Sequence, residues 1–149
     1  MGRQVPKYSL EKAKLIAKNS YKVVKRAHEL GVNIAYGTDA PAPIMLAEFD
    51  LRAKVLPAAA ILQQATCNGG EHIARFQGYA DKVAKVVDMV GKLGCIKQGA
   101  CADFLLLGSN PLEDIGIMNK PHQYLKAVIK DGRCVKSSVK GLRVEVALE

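Results

Sequence analysis

Several functional classes are thinned out by what this chain lacks. No apolar run approaches the roughly 20 residues that cross a bilayer, so the 149 residues predict no membrane-spanning helix and no membrane partner. The opening stretch, MGRQVPKYSLEKAK, has no apolar core of a secretory signal, and a cytoplasmic setting is the default expectation. The four cysteines, Cys67, Cys95, Cys101 and Cys134, contain no C-x-x-C pair. Neither a zinc knuckle nor a thioredoxin-like motif is therefore spelled out, and small buried thiols are the expectation. Cys95 and Cys101 with a histidine would make only a loose zinc site. The three histidines, His28, His72 and His122, show no metal-ligand spacing and read as ordinary surface or core residues. No internal repeat and no low-complexity tract stands out.

Acidic residues are also the scarcer charge, 14 against 22 Lys and Arg, which leaves a net charge of +8. Such a balance invites a nucleic-acid partner, since clustered cations supply phosphate attraction. Their distribution points elsewhere. Lys14, Lys18, Lys22, Lys25 and Arg26 share one side of a helix whose other side carries Leu10, Ala13, Ala17, Val24 and Ala27, the pattern of a surface helix. Tyr8, Tyr21 and Tyr36 are not interleaved with basic residues as a stacking platform would need, so no nucleic-acid partner is expected.

What the chain does hold, at 49% hydrophobic and 24% charged residues, is enough for one ordinary soluble domain with a sizeable core. Ser9 offers a cap for a helix running to residue 30, and Gly31 a left-handed stop. A short strand is predicted over residues 32–36, so helix and strand together make half of an α/β repeat. After a turn, residues 44–54 read as a helix with Leu46, Phe49 and Ala53 on one face. A second helix follows behind Pro57 at its first position. Gly69 and Gly70 should fray or kink it, with residues 72–76 resuming the helix. Residues 79–93 fit a helical period, weakened by four β-branched side chains. Then the texture becomes β-rich. Residues 104–107 read as a buried strand, and residues 124–129 and 133–136 as a hairpin closed by Asp131-Gly132.

Asp39 falls where the predicted strand ends. In parallel α/β architectures the loops at that end converge over a pocket, and a carboxylate there can bind a metal or take a proton from water. From spacing alone the simpler reading is favoured, that Asp39 caps the next helix or closes an Asx turn before Pro41, since one carboxylate does not make a site.

Four phrases in order, GVNIAYGTDAPAP, LAEFDLRAKVLPAAAILQQATCNGGEHIARFQG, GCIKQGACADFLLLGSNPLEDI and AVIKDGRCV, resemble the C-terminal portion of the amidohydrolase superfamily. The resemblance is nearest its Xaa-Pro dipeptidase and imidazolonepropionase-like branch, and spans residues 10–136. It implies an α/β fold, the C-terminal fragment of a (β/α)8 barrel: its last helix-strand unit and following helices, with strands of the flanking β-sandwich. Residues 1–78 would then belong to the barrel, 79–93 to a linker or helical insertion, and 94–149 to the β-rich sandwich portion. The implied activity is metal-dependent hydrolysis of an amide or peptide C–N bond in a small, dipeptide-like substrate. Asp39 would be both metal ligand and general base.

The same resemblance marks what is missing. A His-x-His pair, a carboxylated lysine and two further histidines come from earlier barrel strands in that family. A complete barrel takes roughly 250 residues. A divalent metal, zinc, is therefore expected only if the missing ligands are supplied, and the chain alone is expected to be inactive. The partners to expect are a complementing N-terminal segment or a second copy of the chain. The alternative reading is a non-catalytic oligomerising or binding module.

Overall fold

A computed structural model describes residues 6–76 and 93–145. The first element is α1, Lys7–Glu29, which starts after Pro6 with no side-chain cap, so Ser9 lies inside the helix rather than before it. Proline's fixed φ already suits a helix entry, which removes the need for a hydroxyl cap there. Gly31, at φ +70°, ends the helix as its sequence predicts.

The helix expected over residues 44–54 is split into α2, Ala42–Met45, and α3, Ala47–Ala53, which meet at Leu46. Pro57 precedes α4, Ala58–Ala65, as its cap rather than its first residue. α5, Cys67–Phe76, runs straight through Gly69 and Gly70. Close packing accounts for Gly70: a Cβ at that position would collide with the backbone of Leu93. Gly94, at φ +71°, lies as tightly against Thr66 and Cys67, so the chain re-enters here against the α4–α5 junction. The helix predicted over residues 79–93 lies almost wholly outside the described residues.

Three antiparallel strands form one sheet in the order β1-β2-β3. They are β1, Phe104–Leu107, β2, Leu125–Lys130, and β3, Arg133–Ser137. Between β1 and β2 come the 3-10 helix Ile115–Asn119, capped by the Asp114 side chain, and α6, Pro121–Tyr124. Phe104 pairs with Ile129 and Leu106 with Ala127. The β2–β3 hairpin turns on Asp131 and Gly132, both at positive φ (51° and 77°), as its two-residue loop requires. The Asp103 carboxylate accepts from the Asp131 N–H at 2.6 Å and from the Lys130 ammonium, tying β1 to the turn. These two donors hold the Asp103 carboxyl below its ordinary pKa.

One expectation for β1 fails. Phe104, Leu105 and Leu106 are exposed, because among the described residues β1 is an edge strand and its apolar run is covered on too few sides. The cysteines also depart from expectation: only Cys134 is buried, Cys95 and Cys101 are half-buried and Cys67 is exposed. The core gathers Phe49 of α3, Leu56, Ile61 of α4 and Ile115 of the 3-10 helix, with Val24, Tyr36 and Met118 packed around them. It thus draws on both the helical and the β-rich stretches.

Candidate active site at the Gly37-Thr38-Asp39 turn

The predicted strand over residues 32–36 does not form: residues 33–40 are in no strand. A strand exists only beside another, and among the described residues none lies alongside this segment. Its backbone groups are satisfied by the helices instead. The Tyr36 N–H donates to the Gln64 carbonyl at 2.9 Å. Asn68 Nδ2 donates to the Ile34 carbonyl at 2.8 Å, and Arg52 Nη2 to that of Ala35 at 3.3 Å. His72 Nε2 lies 2.9 Å from the Asn33 carbonyl and donates to it in the tautomer that carries the proton there. Side chains of α3 and α5, and a backbone carbonyl of α4, therefore hold the segment leading to Asp39.

Arg52 is the centre of this arrangement. Its Nε donates to Glu48 Oε1 at 2.6 Å, and its Nη1 donates to Gln64 Oε1. Its guanidinium lies 5.2 Å from the centroid of the Tyr36 ring. The Tyr36 ring in turn packs on Phe49, centroids 4.6 Å apart, and its hydroxyl donates to the Met45 carbonyl at 2.6 Å. Burial first, and the Glu48 carboxylate second, push the Tyr36 phenol up to about 12. Glu48 and Arg52 are each 11% exposed at the side chain, and Glu48 Oε2 is buried without a partner among the described residues. Phe49 is legible in the sequence as part of an apolar helix face, whereas Glu48, Arg52 and Gln64 belong to no motif. The one signal available was the four-residue spacing of Glu48 and Arg52 on a helix.

At the end of the held segment the Thr38 hydroxyl accepts from the Ala40 N–H at 3.2 Å, and Asp39 follows at φ +51°. A left-handed backbone is uncommon outside glycine, and aspartate is among the residues that tolerate it. Asp39 is exposed. Behind the turn lies a cavity of about 250 Å³ lined by Thr38, Tyr21, Glu48, Leu51, Arg52 and Val55 among others. His28, His72 and His122 are all exposed, and no group of three or more His, Cys, Asp or Glu among the described residues could hold a metal ion. Asp39 can serve as one carboxylate ligand, whereas a catalytic zinc takes three protein ligands and an open position. The described residues therefore do not by themselves fit a metal.

Neither a family model nor a curated protein sequence matches the chain. Solved structures do. A prolidase complexed with N-methylphosphonate-L-proline matches over 90% of this chain at 28% identity and a TM-score of 0.67. A Xaa-Pro dipeptidase with bound methionine in its active site matches over 87% at 29% identity and 0.63, and an amidohydrolase over 82% at 30% and 0.61. The chain is similar to the amidohydrolase superfamily. It spans 30%, 28% and 26% of the length of those three proteins, respectively, and so corresponds to less than a third of each. At that level the expectation drawn from the four sequence phrases holds, and the neighbours named for an activity are hydrolases. Among the described residues no helix is long and apolar enough to cross a membrane.

Proposed function

We propose that this chain is part of a hydrolase of the amidohydrolase type that cleaves an amide C–N bond in a small dipeptide-like substrate, with Asp39 as its proton-transferring carboxylate. The observation that carries the reading is the exposed Asp39 at the end of a segment held by Arg52, Gln64 and Asn68, in a chain similar to a prolidase and a Xaa-Pro dipeptidase. A carboxylate so presented can accept a proton from water as the water oxygen attacks the carbonyl carbon. The same proton then passes to the leaving nitrogen as the C–N bond breaks. In a completed site Asp39 would also be one ligand of a divalent metal, zinc by resemblance, which would supply Lewis-acid polarisation. The other ligands, and the loops that choose the substrate, would come from a complementing segment.

Co-expression with a separately encoded N-terminal segment of an amidohydrolase, followed by metal analysis and a dipeptide hydrolysis assay, tests this. Hydrolysis should appear in the pair and fall by about 10²–10⁴ in Asp39→Asn, the usual scale of a lost general base. Activity that survives Asp39→Asn unchanged would remove the role given to that residue. A non-catalytic binding or oligomerising module is the second reading, supported by the apolar side chains that α1 and β1 leave exposed. Stable assembly without hydrolysis in the same experiment would favour it.

A further inference from the structure

α1 carries more apolar surface than the core uses. Tyr21, Val24 and Ala27 are half-buried, while residues 7–20 are exposed throughout. Along a neighbouring line run Ile16, Val23 and Leu30, at 58%, 64% and 62% exposure. They recur every seven residues. Ala13, Ser20 and Ala27 recur at the same interval, displaced so that the combined series 13, 16, 20, 23, 27, 30 steps by threes and fours. That is the spacing of a helix-packing seam, in which small residues admit a partner helix closely and larger ones act as knobs. Two shallow concavities follow the same line. One, of about 460 Å³, lies among Leu15, Ile16, Asn19 and Val23; the other, of about 390 Å³, lies among Lys22, Val23, Arg26 and Leu30.

The border of the seam away from the core carries Lys12, Lys22 and Arg26, and α1 as a whole has seven Lys or Arg against Glu11 and Glu29. Arg26 meets Glu29 at 3.3 Å, an exposed pair that offsets little of this charge. A second copy docked antiparallel on the seam would set these cations against their own kind, and docked parallel would set them against Ala17 and Val24.

We propose that the α1 seam docks an amphipathic helix with apolar residues at the same three-and-four spacing and carboxylates along its border, contributed by the polypeptide that completes the amidohydrolase. The source of that helix rests on the proposed function; the surface itself does not.

The test needs neither metal nor substrate. Two synthetic helical peptides with an identical Leu/Ala seam, one bordered by Glu and one by Lys, are titrated into the purified chain. Vesicles of neutral and anionic phospholipid run in parallel, and sedimentation reports self-association. The Glu-bordered peptide should bind, more weakly as salt rises, and the Lys-bordered peptide should not. Val23→Glu and Ile16→Glu, at exposed positions, should weaken binding by at least about tenfold with unchanged circular dichroism. The proposal is overturned if neither peptide binds, if both bind alike, or if Val23→Glu leaves the affinity intact. It is equally overturned if Val23→Glu instead abolishes a dimer of the chain or its attachment to anionic vesicles. Loss of hydrolysis in Asp39→Asn bears on the proposed function alone, so the two failures are separable.

Discussion

Tyr36 concentrates the physics of the candidate site in one side chain. It touches the core through Phe49, stacks under Arg52 and ends in a hydrogen bond to Met45. Because burial raises its pKa to about 12, the folded chain keeps the phenol proton where the unfolded chain has begun to release it at about 10. Folding stability from this group is thus fully present below about pH 10 and lost as pH rises through about 12. Tyr36→Phe should lower stability near neutrality by about 1 kcal/mol, the net worth of its hydrogen bond. It should also flatten the alkaline fall. Urea midpoints for both proteins, compared on either side of the phenol titration, check the sign; parallel declines would show that Tyr36 does not titrate late. Asp39 is a different kind of residue. Its identity and its place before Pro41 are legible in the sequence, but its positive φ is not, since Gly37-Thr38-Asp39 reads equally as a strand end.

At the scale of elements, the glycine pair of α5 shows how a local rule is overridden. Two adjacent glycines weaken a helix by propensity, so the sequence predicts a kink. The helix continues, and the two glycines have different surroundings. A Cβ on Gly69 would meet only the Gln64 carbonyl at 3.8 Å, whereas one on Gly70 would strike the Leu93 backbone. Gly69→Ala should therefore stabilise the protein by about 0.5 kcal/mol through propensity. Gly70→Ala should destabilise it by about 1–3 kcal/mol, the range for overpacking. Thermal melts of the two variants, which differ only in which glycine is replaced, decide the matter; equal shifts would mean that Leu93 does not lie against α5. The β2–β3 hairpin was predictable from Asp131-Gly132 because a two-residue loop demands positive φ at both positions. The burial of β1 was not predictable, because an apolar run of four looks the same in an edge strand as in a central one.

For the whole molecule, the shared core matters most. Ile115 lies beyond the β1 strand in sequence yet is buried with Phe49, Leu56 and Ile61. Ile115→Ala should cost about 2–5 kcal/mol, the usual range for a buried aliphatic truncation. Because the cluster joins helices to the β-rich stretch, loss of helix and loss of the hairpin should move together. Helical circular dichroism and a probe placed in the hairpin should give one coincident transition in both proteins. Two separate transitions would mean that the parts fold independently.

By itself the sequence determined the helix α1 and its stop at Gly31, the hairpin at Asp131-Gly132, and the similarity to amidohydrolases. Each of these depends on short-range chemistry or on phrases read in order. The tertiary structure alone decided that residues 33–40 are held by Arg52, Gln64 and Asn68 rather than by a strand. It also decided that Gly70 is there to admit Leu93, and that α1 keeps an apolar line uncovered. The physical reason is common to all three: a backbone group or an apolar side chain specifies that it needs a partner, and only folding in three dimensions assigns which one.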